Sequence, residues 1–115
     1  AISSQKPFSR SEELAGQFLS LVDKHCHEHH NIKWYADMLH LTPVYISNVV
    51  KQVTGRTAGD NLTDCLGLKA KSLLLTSTLS VQQISDGLGF QNQSHFGTFF
   101  RRAVGMSPQK FRRGD

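Results

Sequence analysis

The feature that most constrains the fold of this chain is an internal repeat of about 50 residues. The segment 31–41, NIKWYADMLHL, aligns with the segment 80–90, SVQQISDGLGF, at an offset of 49. Each copy begins with a residue that can cap a helix, and apolar residues then follow at matching helical positions. One inserted residue later the offset is 50, and Lys51 aligns with Arg101 and Gly55 with Gly105. A fixed period of this kind predicts two copies of one supersecondary unit.

Helix start signals recur along the whole chain, and strand signals are almost absent. The predicted N-caps, some with a capping box or a following proline, are Ser9, Asn31, Thr42, Ser80, Asn92 and Ser107. The third helix is expected to bury an apolar stripe of Ile46, Val49, Val50 and Val53. A long helix is predicted over 58–76. The expected fold class is all-α, with about seven helices.

Each copy of the repeat has the layout of a helix-turn-helix, whose second helix enters the major groove of DNA. Small residues, Ala36 and Ser85, stand where the two helices of a copy must cross closely. Gly89 supplies backbone freedom for the second turn, whereas His40 occupies the aligned position in the first. The first turn is therefore either different or mildly strained.

The charge distribution favours an anionic partner. The formal net charge is +4 and the isoelectric point is near 9.3. Between Asp86 and Asp115 every charge is positive. Two cysteines, Cys26 and Cys65, are too few for a disulfide scaffold and fit a reducing compartment. No apolar run approaches the roughly 18 residues of a membrane span, so we expect no membrane partner and no signal peptide.

The C-terminal segment 89–112, GFQNQSHFGTFFRRAVGMSPQKFR, together with the duplicated pattern, resembles the DNA-binding domain of the AraC/XylS family of bacterial transcription regulators. The resemblance covers about 8–113. It implies one such domain over 1–115, with units at 8–55 and 80–113 and a connecting helix at 57–78. It also implies sequence-specific binding to double-stranded promoter DNA, RNA polymerase as a partner, a separate sensing or dimerisation domain, and a location in the bacterial cytoplasm at the nucleoid. The chain begins at Ala1 rather than at methionine, and we expect a fragment of a longer regulator.

The length of the connecting helix fits this function. At 1.5 Å per residue, about 19 residues span roughly 28 Å. Successive major grooves on one face of DNA lie about 34 Å apart, so two recognition helices can occupy neighbouring grooves once the size of each unit is added. A monomer is thus expected to contact a site of about two turns that need not be palindromic.

The outward faces of the third and sixth helices supply the candidate contacts. The resemblance places base-reading at Val44, Ser47 and Asn48, then at Ser94 and Thr98, with Gln93 at the edge of the second face. The side-chain amide of Asn48 can form two hydrogen bonds with adenine, one through its N–H and one through its oxygen. Val44 can pack on a thymine methyl group. The candidate phosphate contacts are Trp34, Thr42, Lys51, His95, Arg101 and Arg102. The alternative is that these are ordinary solvated faces. For Trp34 the alternative is packing on a neighbouring helix, which is favoured over a contact with the DNA backbone.

Other chemistries are less well supported. The stretch HCHEHH, His25 to His30, resembles a metal site, but its order fits no zinc-finger spacing, and a solvated helix end is favoured. The alternative function is nevertheless a helical protein-interaction or metal-sensing module that uses this stretch. No catalytic arrangement is evident, so we expect no enzyme, no cofactor and no bound metal. Gly67 and Gly87 lie inside helices and either permit close packing or weaken the joint between the units.

Overall fold

The computed structural model describes residues 9–114, and Phe8, where the predicted first unit begins, lies outside the described residues. The described chain contains no β-strand and forms seven helices: α1 (Arg10–His25), α2 (Ile32–Met38), α3 (Pro43–Thr54), α4 (Ala58–Thr76), α5 (Val81–Gly87), α6 (Gln93–Val104) and α7 (Pro108–Arg113). The prediction of an all-α chain is confirmed, and α4 has the ends predicted for the long helix, 58 and 76, inside the range 57–78 that the resemblance implies.

Local side-chain hydrogen bonds explain where the helices start. The Ser9 hydroxyl accepts a bond from the Glu12 N–H, and the Glu12 carboxylate accepts one from the Ser9 N–H. At all six predicted caps the side-chain oxygen accepts a bond from a backbone N–H in the first turn of its helix, and Ser80 shares the reciprocal arrangement of Ser9. A further capping box, absent from the predicted caps, pairs Thr57 with Asp60 and begins α4. This box satisfies backbone N–H groups at the start of the longest helix.

Helix α4 joins two three-helix units. It packs against α1 and α3 of the first unit (α1–α3) and against α5, α6 and α7 of the second unit (α5–α7). One core cluster runs through both units; its largest buried side chains include Phe18, Tyr35, Ile46, Phe96 and Phe100. The described chain measures 51 × 35 × 20 Å, so the two units lie side by side in an elongated, rather flat molecule.

Val53 departs from the predicted core. It is 41% exposed, whereas Ile46, Val49 and Val50 are buried as expected. Val53 faces an open groove beside Gly16 and Leu19 of α1, and Gly16 has no side chain to cover it. The periodic stripe on α3 is therefore longer than the surface that α1 can cover.

The two cysteines form a close, reduced pair. Cys26 is fully buried, and Cys65 is partly buried and packs against the core. Their Sγ atoms lie 3.4 Å apart. Burial raises the pKa of Cys65 to about 12, so this thiol stays protonated at neutral pH. Cys65 therefore packs as a neutral thiol beside Cys26.

Gly67 does not serve close packing. A Cβ atom added there meets nothing within 4 Å, and the residue faces a cleft of about 340 Å³ beside Leu68 and Val104.

Gly67→Ala is therefore expected to raise the free energy of unfolding by about 1 kcal/mol, because glycine is a poor helix residue. Urea denaturation measures the change. Gly16→Ala in α1, which also meets open space, calibrates the gain from helix propensity alone. A loss of stability at Gly67 alongside a gain at Gly16 would contradict the prediction.

Candidate nucleic-acid interface

The two helix-turn-helix turns have the same backbone geometry. The Leu41 N–H donates to the Ala36 carbonyl at 2.9 Å, and the Phe90 N–H donates to the Ser85 carbonyl at 3.0 Å. His40 has φ 59° where Gly89 has φ 82°. Of the two possibilities for the first turn, the structure shows the strained one, because a residue with a Cβ atom adopts the left-handed conformation there.

Helix α3 presents a polar face opposite its buried stripe. The Thr42 hydroxyl caps the helix by accepting a bond from the Tyr45 N–H at 3.1 Å, and Pro43 occupies the first turn. Val44 is 71% exposed. Asn48 is exposed beside it, and Ser47 is half-buried. The predicted base-reading residues of the first unit therefore share one accessible surface.

Helix α6 is built in the same way with shorter side chains. Asn92 caps it by accepting a bond from the His95 N–H at 2.9 Å. Phe96 and Phe100 are fully buried against the core. On the other side Ser94 and Thr98 are exposed, while Gln93 is half-buried. The second face therefore offers hydroxyl groups and few long side chains.

Three cations on these helices lack acidic partners. Lys51, Arg101 and Arg102 are exposed, and no acidic side chain among residues 9–114 forms an ion pair with any of them. Elsewhere Lys33 is paired with Asp37 at 2.8 Å. Unpaired cations beside an exposed polar face create a positive surface that attracts phosphates.

A cleft of about 770 Å³ separates α6 from the start of α4. His95, Thr98 and Arg102 line one side of it. On the other side Arg56 donates two hydrogen bonds to Asp64, at 2.8 and 3.0 Å, and this carboxylate raises the pKa of Arg56. The sequence analysis did not single out Arg56, since a separation of eight residues across a helix start has no recognisable pattern. Its charge is neutralised within the chain.

Trp34 packs against the histidine-rich stretch. Its ring stacks on His29 at a centroid distance of 3.8 Å with an interplanar angle of 6°, and His25 lies 5.1 Å away. The Tyr35 hydroxyl donates to the His29 carbonyl at 2.7 Å. Across residues 9–114, no three histidine, cysteine or acidic side chains are arranged to hold a metal ion. The stretch is therefore a folded, packed loop and not simply a solvated helix end.

Comparison with known proteins decides the family. A family profile described as a helix-turn-helix domain matches residues 35–114, which is well over half of the chain. The transcriptional activator RhaS of Escherichia coli is 31% identical over 110 residues, which cover 96% of this chain and 40% of RhaS. This chain belongs to the AraC-type family of helix-turn-helix DNA-binding domains. Membership makes it the DNA-binding part of a transcriptional regulator and not an enzyme.

Other relatives agree with this AraC-type assignment. YobQ of Bacillus subtilis, named as an uncharacterized HTH-type transcriptional regulator, is 31% identical over 94 residues, covering 82% of this chain and 39% of YobQ. The C-terminal domain of AraT, a response regulator from Geobacillus stearothermophilus, superposes with a TM-score of 0.85 at 30% identity, covering 93% of this chain and 89% of that one. This AraC-type chain therefore spans about two-fifths of the length of the curated relatives it matches.

With a second solved structure only the fold is shared. The DNA-binding domain of AdpA, solved in complex with a target DNA, has a TM-score of 0.78 at 24% identity, covering 87% of this chain and 90% of that one. Within residues 9–114 of this AraC-type domain, none of the helices combines the length and apolar character that crossing a membrane requires.

Proposed function

We propose that this AraC-type domain binds a DNA site of about two helical turns, with α3 and α6 in successive major grooves on one face. One observation carries the proposal: the duplicated units both hold an exposed polar face and unpaired cations, and one helix of 19 residues connects them. At about 1.5 Å per residue, α4 is shorter than one turn of DNA, and the lateral size of each unit makes up the difference.

The proposed base-reading residues are Val44, Ser47 and Asn48 on α3 and Gln93, Ser94 and Thr98 on α6. The proposed phosphate contacts are Trp34, Thr42, Lys51, His95, Arg101 and Arg102. The short hydroxyl side chains on α6 favour water-mediated contacts, so most of the direct base recognition is assigned to α3. Packing on His29 accounts for the ring of Trp34, which makes Trp34 the weakest member of the phosphate set.

The length of the relatives supports further proposals about the intact regulator. Because RhaS and YobQ extend well beyond the matched segment, we propose that this chain works beside a sensing or dimerisation domain. We also propose that the regulator acts at promoters together with RNA polymerase, in the bacterial cytoplasm at the nucleoid; its similarity to transcription regulators of two bacteria supports this. The AdpA complex supports the assignment of DNA as the partner, since that domain has the same fold.

Selection of bound sites from random duplexes, followed by hydroxyl-radical footprinting, tests the proposed function. The expected result is protection of two patches about 10 base pairs apart on one face of the duplex. Protection of a single patch would overturn the proposal, and so would uniform protection along the duplex that increases with protein concentration.

Asn48→Ala is expected to relax specificity at one base pair. Loss of a bidentate amide contact should cost about 1–3 kcal/mol on the selected site and almost nothing on random DNA. Competition binding with single-base variants of the site measures this. Gln17→Ala serves as the matched control. It removes an exposed amide from α1, and α1 packs on the buried side of α3, away from the proposed DNA-contacting face. Equal losses on specific and random duplexes would refute the base-reading role of Asn48.

A further inference from the structure

The loop between α1 and α2 reaches across to the turn of the second unit. The Nε2 atom of His30 lies 2.7 Å from the Leu88 carbonyl oxygen. The His30 ring also lies 4.8 Å from the ring of Phe90. Because a carbonyl can only accept, His30 Nε2 must carry the proton and donate it. Leu88 is the C-cap residue of α5, so this bond satisfies a carbonyl left free at a helix end.

The backbones of the two units also meet at this place. A Cβ atom added to Gly89 would lie 2.3 Å from the His27 carbonyl oxygen and 3.3 Å from His30 Nε2. Such a close approach is open only to a residue without a side chain. The turn of the second unit therefore seats directly on the loop that begins at the end of α1.

The loop itself is held firmly. The N–H groups of Glu28 and His29 both donate to the His25 carbonyl at 2.9 Å. The hydroxyl of buried Tyr35 donates to the His29 carbonyl at 2.7 Å. A rigid loop can fix the position of the second unit relative to the first, whereas a mobile loop would move with the second unit and fix nothing.

We infer that His30 is a positioning residue that locks the second unit against the first and so sets the half-site spacing that the domain accepts; this rests on the proposed function. If α4 were the only connection, the units could bend and rotate about it. The contact of His30 with Leu88 and Phe90 lies outside α4 and is a second point of attachment. With two attachments, α3 and α6 are preorganised for one separation, which raises the effective concentration of each for its half-site at that spacing only.

The test compares variants on duplexes of different spacing. For the wild-type domain we expect about a tenfold or greater loss of affinity when one base pair is inserted between the half-sites, because the insertion rotates one groove by about 35°. His30→Ala should bind the correctly spaced site about fivefold to tenfold more weakly than the wild type does. Inserting one base pair should then reduce the affinity of this variant by only about a further threefold. Its affinity for an isolated half-site should stay within about twofold of wild type.

Two further variants separate the donor from the ring. His30→Gln keeps a donor near the position of Nε2 and should restore most of the spacing selectivity, whereas His30→Phe keeps the ring contact with Phe90 and should not. His29→Ala is the matched control, because the His29 ring stacks on Trp34 within the first unit. Loss of spacing selectivity in His29→Ala equal to that in His30→Ala would overturn the assignment.

Residual dipolar couplings give a readout without DNA. In the wild type both units should share one alignment tensor, and in His30→Ala the tensors should differ. A single tensor in His30→Ala, or equal losses on every duplex, would overturn the positioning role. If the wild type gave no two-patch footprint, the proposed function and this inference would fail together. If the wild type gave that footprint and His30→Ala kept its spacing selectivity, only this inference would fail, so the two failures are distinguishable.

Discussion

Gly89→Ala should lower the free energy of unfolding by about 2–4 kcal/mol. Gly89 has φ 82°, where an alanine costs about 1–2 kcal/mol in backbone energy. Its Cβ atom would also lie 2.3 Å from the His27 carbonyl oxygen, so backbone on one side of the contact must move. Such displacements are among the few causes of large single-residue losses. Urea denaturation followed by circular dichroism measures the change.

Gly87→Ala is the matched control for this prediction. Gly87 lies two residues earlier, at the end of α5, and an added Cβ atom meets nothing within 4 Å. The same chemical change there should leave stability unchanged or raise it by up to about 1 kcal/mol. Similar losses for both variants would show that the loss at Gly89 does not come from its backbone conformation and its contact with His27.

The affinity for DNA should fall about 40-fold when monovalent salt rises from about 50 to 200 mM. The three unpaired cations Lys51, Arg101 and Arg102 are the proposed charged contacts to phosphates. Three phosphate contacts release counterions with a slope of about −2.7 in a plot of log affinity against log salt. Fluorescence anisotropy across a salt series, at constant temperature and pH, measures this slope for both selected and random duplexes.

Removal of these cations should flatten the slope. The triple variant Lys51→Gln, Arg101→Gln and Arg102→Gln should leave a slope near zero, with each substitution removing about one unit. Arg10→Gln is the control, because Arg10 already pairs with Glu13 at 3.7 Å at the start of α1. A steep slope that survives the triple substitution would show that other groups contact the phosphates.

Much of the fold could be predicted because its signals are local. Capping oxygens, the proline at the start of α3 and the apolar periodicity each act within a few residues, and they located all seven helices. The repeat then related the two units, which the equivalent turns at Ala36 and Ser85 confirm. The faces proposed to contact DNA followed from the same periodicity, since whatever α3 and α6 do not bury must face outward.

The errors arose where one element depends on the size of another. Val53 continues the apolar period of α3, yet its exposure is decided by Gly16 on a different helix. The histidine-rich stretch was interpreted through its own spacing, as a metal site or a solvated helix end. Its actual partners are Trp34 within the first unit and the turn of the second unit.

The sequence alone determined the class of the domain, its two helix-turn-helix units and the polar faces on them. These properties rest on interactions among residues a few positions apart, which short patterns record. Only the tertiary structure decided how the units are held against each other. His30 and Leu88 are 58 positions apart, and no local pattern links a histidine side chain to one distant carbonyl oxygen. Their contact exists because both units pack against α4, which brings the two surfaces together.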